Sequence, residues 1–354
     1  MNDAVTIQFQ HGIPPWPSLV AVLVCAGLMV TLYQKLFPRP ARWLVVAVAL
    51  VLGGALTFSL TVLLTPTGQR LMEIHDLWSA LRIVVLTVGL PEEAVKGLAA
   101  LATLLIFRRT ATPAEAFQTA LFAALGFAVV ENAFYARAFE GASLLIAVGR
   151  GFLASFIHSL MMMIQGTFLA GLVASRWRRW DLPVIGWLLA AAAHAGFDWG
   201  MLGPLVVYLQ QGDEAAMAAA VLPSLPVLVI GVPAPFVIGL WLLRRALRRA
   251  GGVEEARLAA AFGEAGEAGD ALAGYRRGLA RWRKAGNTVM ILGGVALVAA
   301  VAALVVLSIG MARQAAGGSP TPPPQALTGS MVATGGLVLG CMALLLGWLF
   351  RQKR

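Results

Sequence analysis

Pro91-Glu92-Glu93-Ala94-Val95-Lys96-Gly97 sets two adjacent carboxylates and a lysine inside an otherwise apolar run, SALRIVVLTVGLPEEAVKGLAALATLLIF, from Ser79 to Phe107. A helix rising about 1.5 Å per residue crosses a bilayer in that length, and Glu92 then lies roughly 20 Å in from the Ser79 end. Carboxylates at such depth are unfavourable by a few kcal/mol each, so the sequence must supply a reason for them.

The rest of the chain has the composition of a polytopic membrane protein. Of 354 residues, 59% are hydrophobic and 12% are charged, with mean hydropathy +0.80; a soluble domain carries about twice that charge. The net charge of +10 does not call for nucleic acid, because basic residues collect at the cytoplasmic ends of spans. Residues 1–17 are polar and proline-broken, unlike a cleavable signal peptide, and the first span is expected to act as an uncleaved one. Cys25 and Cys341 both fall in apolar runs, which argues against a disulfide framework or a cysteine zinc site. The Ala, Gly, Leu and Arg bias suggests a bacterial source.

The expected fold is all-α, with about nine transmembrane helices at residues 18–36, 41–64, 79–107, 116–139, 143–175, 182–209, 216–243, 287–311 and 329–350. Basic residues gather in alternate connections: Lys35, Arg39 and Arg42; Arg108 and Arg109; Arg176, Arg178 and Arg179; the stretch from Arg244 to Lys284; and Arg351, Lys353 and Arg354. The positive-inside rule puts the N-terminus outside and the C-terminus in the cytoplasm. Residues 1–78 read as two N-terminal spans and an outer loop, and 79–245 as the core that carries the motifs. Residues 246–286 form a charged cytoplasmic segment, acidic then basic, suited to amphipathic helices at the membrane surface or to a solvated linker. Residues 287–354 add two spans joined by the Pro-rich outer linker around Pro320–Pro324. No internal repeat is evident, which weakens a transporter reading.

Four consecutive spans carry ionisable groups at depth. In the third, Glu92 and Lys96 are four apart on one face in the favourable order for an ion pair. That pairing leaves the second carboxylate, Glu93, without a partner, and Pro91 can kink or break the span beside it, exposing free amides. In the fourth, Phe127, Glu131 and Tyr135 share a face, so the Tyr135 hydroxyl can reach the carboxylate; Asn132 adjoins it. The fifth holds Arg150 and His158, with Arg150 also readable as a snorkelling boundary residue; Met161, Met162 and Met163 read as packing. The sixth has His194 and Asp198, four apart on one face. Depths agree: His194 lies about 18 Å and Glu131 about 23 Å from the cytoplasmic ends of their spans. One buried acid has a bland explanation, whereas a polar cluster at one depth in four spans reads as a site.

Such a cluster suits several chemistries. A desolvated glutamate can take a proton from water and a second acid or a histidine can return it. Histidine with aspartate can serve an oxyanion, and glutamates with histidines can hold zinc with a position open for water. Proton-coupled transport uses similar residues. The absence of HEXXH and GxSxG runs leaves zincin and serine-hydrolase mechanisms unsupported.

The ordered set Glu92-Glu93-x-x-Lys96, Phe127-x-x-x-Glu131-Asn132-x-x-Tyr135, Arg150…His158…Gly166 and His194-x-x-x-Asp198 resembles the motif series of the PrsW family of intramembrane proteases, related to the CAAX prenyl endopeptidases and abortive-infection-type membrane proteins. The resemblance covers residues 79–202. It implies an endopeptidase of the bacterial cytoplasmic membrane that cuts membrane-protein substrates in the bilayer, with single-span anti-sigma factors as the family type. Carried over by position, Glu92 is expected to be the general base on water and Glu93 to support it or hold Lys96. Glu92 and Glu131 are expected to share the water, with His158 close by, and His194 and Asp198 to orient or stabilise the oxyanion, with Lys96, Asn132, Tyr135 and Arg150 supporting. The CAAX relatives have histidine where Glu131 stands, so their Glu–His pair does not transfer directly. No cofactor is favoured; zinc is the alternative, held by Glu92, Glu131, His158 and His194. A proton-coupled transporter or a non-catalytic scaffold is the reading from another class.

Overall fold

The computed structural model describes residues 16–37, 39–64, 77–138 and 143–211, together with residues 238, 241, 242 and 245. The chain divides into two compact units, Met1–Ala246 and Leu247–Arg354, and every described residue lies in the first. The expectations for the charged segment 246–286 and for the spans at 287–311 and 329–350 lie outside the described residues, as does most of 216–243.

All described elements are helical: α1 (Trp16–Leu36), α2 (Trp43–Leu64), α3 (Leu77–Ile83), a π-helical segment (Val84–Gly89), α4 (Leu90–Ile106), α5 (Pro113–Ala138), α6 (Ser143–Ala174) and α7 (Asp181–Gln211). Three of these helical stretches, Trp16–Leu36, Pro113–Arg137 and Ala147–Ala174, are long and apolar enough to cross a membrane. Large apolar side chains face outward, among them Trp43, Leu44, Val51, Phe58, Leu98 and Leu188, while Glu93, Lys96, Thr103, Asn132, His158, Gln165 and His194 are buried. Water would penalise that arrangement and a bilayer favours it.

α5 is the central helix, packed on α1, α2, α4 and α6, and its stretch from Ala116 to Ala128 is buried throughout. Small residues permit this. Gly53 on α2 faces the Ala123 carbonyl, and a Cβ added at Gly126 on α5 would collide with the Leu50 carbonyl. Close backbone approach through small residues is how helices associate where lipid removes the hydrophobic drive. A rigid carbonyl cannot step aside as a side-chain tip can. Gly126→Ala is therefore expected to destabilise the protein by about 1–3 kcal/mol, read as a lower thermal midpoint in detergent; an unchanged midpoint would show that the two helices do not pack this closely.

α5 begins on a capping sequence, Thr112-Pro113-Ala114-Glu115. The Thr112 hydroxyl accepts from the Glu115 N–H at 3.2 Å, and Pro113 occupies the first helical position, where its missing donor is not needed. The Glu115 carboxylate accepts two guanidinium hydrogen bonds from Arg42, both at 2.8 Å. Gln118 accepts from the Ala41 N–H and donates to the Arg39 carbonyl. Arg108 lies over the Trp177 ring. The connections after α1, α4 and α6, all basic, therefore meet at one end of the bundle. There Asp181 opens α7, and its hydrogen bonds from Arg179 hold its carboxyl below the usual range, a charge that also suits the helix N-terminus.

α3, the π segment and α4 run on without interruption from Leu77 to Ile106. Of the kink or break that Pro91 allows, the break, with free amides beside the glutamates, is not present. An α-helical Pro91 would press its ring on the carbonyl four residues back. Here the winding loosens just before it: the Leu90 N–H donates to the Val85 carbonyl, five residues back. This wider turn carries the chain past the proline as a π-bulge, a feature frequent at functional sites. On the far side Trp187 of α7 donates from Nε1 to the Leu90 carbonyl at 2.9 Å, fixing the start of α4.

Candidate active site

α4 presents its two glutamates to different surroundings, because successive helical residues point about 100° apart. Glu93 and Lys96 are fully buried, and Glu92 is 16% exposed. The sequence places Glu92 and Lys96 on one face, yet the closer partner is Glu93. Lys96 Nζ lies 2.5 Å from Glu93 Oε1 and 3.6 Å from Glu92 Oε2. It also lies over the Phe127 ring, 4.3 Å from the centroid. Both carboxylate oxygens of Glu93 and its backbone carbonyl are engaged. Oε1 takes Lys96 and the His194 Nδ1–H at 2.9 Å; Oε2 and the backbone carbonyl take the two Gln165 Nε2 hydrogens at 3.0 and 2.9 Å. A carboxylate so satisfied is a strut. Glu92 Oε2, by contrast, is buried with no hydrogen-bond partner among the described residues.

α5 and α6 supply the opposite wall. His158 Nδ1 lies 3.1 Å from Lys96 Nζ, and its Nε2 lies 2.8 Å from Glu131 Oε2. An ammonium only donates, so Nδ1 accepts and Nε2 carries the proton given to Glu131. Arg150 does not snorkel outward. Its guanidinium turns in to Glu131 at 3.1 Å, lies over the Tyr135 ring 3.6 Å from the centroid and donates from Nε to Asn132 Oδ1 at 3.3 Å. Asn132 in turn donates to the Arg150 carbonyl, so it braces Arg150, and Tyr135 serves that cation through its ring. Met161, Met162 and Met163 are buried as packing.

α7 closes the site. With Nδ1 given to Glu93, His194 turns Nε2 toward Asp198 Oδ2 at 3.4 Å and Glu92 Oε2 at 3.9 Å. The His158 and His194 rings meet edge to face with centroids 5.4 Å apart. All six residues singled out as catalytic in the sequence, Glu92, Glu93, Glu131, His158, His194 and Asp198, thus converge from four helices. Two contributors were missed. Trp187 carried no local signal. Gln165 did: it stands seven residues after His158 and so on the same helix face.

Glu92, His158 and His194 bring ligand atoms within 4.8 Å of one another, a donor set of the kind that holds catalytic zinc. Glu92 Oε2 is open, and His194 has the carboxylate on its far nitrogen that metal-bound imidazoles commonly have. His158 does not fit: Lys96 occupies one nitrogen and Glu131 the other. Glu131 is itself engaged by His158 and Arg150. As hydrogen-bonded here, two donors face the centre, one fewer than a catalytic zinc takes from protein.

A family model described as PrsW family intramembrane metalloprotease matches residues 39–230. The match extends beyond the motif-bearing stretch on both sides and takes in α2. No curated protein and no solved structure matches the chain. With more than half of its length matched, and with the whole polar cluster inside that match, the chain belongs to the PrsW family of intramembrane proteases.

Proposed function

We propose that this protein is an endopeptidase of the bacterial cytoplasmic membrane that hydrolyses peptide bonds of single-span membrane proteins, with anti-sigma-factor-like proteins as the substrate type, using a water activated by Glu92. The N-terminus lies outside and the chain crosses the bilayer about nine times. The observation that carries the mechanism is the contrast between two adjacent carboxylates: Glu93 accepts from Lys96, His194 and Gln165, while Glu92 Oε2 has no hydrogen-bond partner among the described residues.

Glu92 takes a proton from water as the oxygen attacks the scissile carbonyl carbon. His194, aimed by Glu93, donates to the developing oxyanion from Nε2 once that nitrogen carries the ring's second proton, which the Asp198 carboxylate 3.4 Å away favours. The proton held by Glu92 passes to the departing amide nitrogen as the C–N bond breaks, so one water is consumed and a carboxylate and an amine result. Glu131, fixed by the His158 Nε2–H and Arg150, sets the far wall and the field of the site. Four carboxylates, Glu92, Glu93, Glu131 and Asp198, face two fixed cations, Lys96 and Arg150. That surplus of carboxylates leaves Glu92 with no cation among the described residues closer than Lys96 at 3.6 Å.

The same surplus would suit a divalent ion, and the 4.8 Å grouping of Glu92, His158 and His194, with the metalloprotease description of the family, supports a zinc-dependent second reading. In it, Glu92, His158 and His194 would hold the ion, His158 only after giving up Lys96 or Glu131, and the ion would supply Lewis-acid polarisation of water. The two readings separate on metal removal. Purified protein in proteoliposomes, cleaving a single-span substrate, is expected to keep full turnover after exhaustive chelation and to carry less than one equivalent of zinc. Stoichiometric zinc with turnover lost to chelator and restored by the metal would overturn the glutamate mechanism and leave the proteolysis standing. Proton-gradient-dependent solute flux without cleavage would overturn both.

A further inference from the structure

Gln165 lies in the apolar run of α6, buried, and reaches across to α4 rather than along its own helix. Its Nε2 donates to both the carbonyl and the carboxylate of one residue, Glu93, at 2.9 and 3.0 Å. A grip on main chain and side chain together fixes the Glu93 rotamer as a single bond could not. Glu93 Oε1 accepts the His194 Nδ1–H at 2.9 Å, so the Glu93 rotamer decides which imidazole nitrogen is held and which faces Glu92. Gly97 belongs to the same device. A Cβ there would collide with Gln165 Oε1, which explains a glycine inside α4, where that residue is otherwise unfavourable.

We infer that Gln165 is a positioning residue: acting through Glu93, and given room by Gly97, it holds the His194 Nδ1–H on Glu93 Oε1 and thereby fixes the ring with Nε2 turned to Glu92, Asp198 and the substrate. The effect on turnover rests on the proteolytic reading above; the effect on His194 does not. Without Gln165, Glu93 Oε2 is left buried with no donor, and the carboxylate turns to recover one from Lys96 or His194, releasing the imidazole from its single orientation.

The chain has only 4 histidines, so 15N-histidine labelling gives a spectrum simple enough to assign, with His194→Gln identifying the His194 signals. In the wild-type protein in detergent micelles, His194 Nδ1 is expected at a protonated position. In Gln165→Met, and in Gly97→Ala, which displaces the amide without removing it, the Nδ1 signal is expected to move toward the unprotonated range. Turnover of a single-span substrate in proteoliposomes is expected to fall roughly 10–100-fold with KM little changed, the scale usual for removing a group that orients a histidine. The Gln165→Met/Gly97→Ala double variant is expected to be no slower than the worse single one, since both act on one contact. An unprotonated wild-type Nδ1 overturns the inference without any variant, as does an unmoved Nδ1 or an unmoved turnover in Gln165→Met when the wild type cleaves. A shifted Nδ1 in a protein that cleaves nothing upholds the positioning role and overturns the proteolytic reading.

Discussion

Glu92→Gln is expected to reduce cleavage of a membrane substrate by roughly 10²–10⁴-fold, the contribution typical of a positioned general base, while leaving the thermal midpoint within a degree or two of wild type. The expectation follows from what Glu92 does not do in the fold. Its Oε2 has no hydrogen-bond partner, Lys96 stands 3.6 Å away and His194 3.9 Å, so the neutral amide breaks no short contact. It also removes one of the carboxylates that crowd this pocket, which offsets the lost attraction to Lys96. Glutamine keeps the size and cannot take a proton from water, so an effect on rate cannot be ascribed to a cavity. Cleavage at the wild-type rate would sink the base assignment. Equal loss of cleavage and of thermal midpoint would make Glu92 a structural residue instead. Glu93→Gln is the comparison: it trades a carboxylate that accepts from Lys96, His194 and Gln165 for a weaker acceptor, and it is expected to lower stability as well as rate.

Much of the helical framework is legible in the apolar periods of the sequence. Runs bounded by basic residues mark α1, α2, α5, α6 and α7 to within a few residues, because burial in lipid demands long apolar stretches and positive charge stops them. The members of the polar cluster are legible for the same reason: one charge inside such a run has a bland explanation, but charges at one depth in four such runs do not. What the sequence does not carry is rotation of one helix against another. Spacing of four along α4 points to a Glu92–Lys96 pair, but the partner choice between Glu92 and Glu93 depends on where α6 and α7 place His158, Gln165 and His194. Likewise Tyr135 stands one turn from Glu131, and its ring meets Arg150 from α6. Pro91 signals disturbance without its form, since a break and a π-bulge both free the ring, and the bulge does so while the Leu90 N–H still donates to the Val85 carbonyl. Gln165 was hidden by its neighbours, an amide beside three methionines in a stretch that otherwise reads as packing.

Lys96→Met is expected to produce the largest loss of stability of any single change in the cluster, about 3–5 kcal/mol, the range for removing one member of a buried ion pair. The ammonium is wholly buried and lies within 2.5 Å of Glu93, 3.1 Å of His158 and 3.6 Å of Glu92, with the Phe127 ring face below it. Methionine fills nearly the same volume, so the loss reports charge and hydrogen bonding rather than a cavity. The surviving carboxylates would then face one another with only Arg150 and the imidazoles to balance them, in surroundings too apolar to screen the repulsion. The double variant Lys96→Met/Glu93→Gln distinguishes this cause from a packing defect. It removes the uncompensated charge, and the new amide oxygen can still accept from His194 Nδ1, so most of the lost stability is expected to return. Denaturation in detergent followed by thermal shift reads both outcomes. A single variant as stable as wild type, or a double variant no better than the single, would mean that Lys96 does not neutralise Glu93. The division of the opening stretch rests on that pairing, because only a carboxylate already balanced by Lys96 and fixed by Gln165 and His194 leaves its neighbour Glu92 free for water.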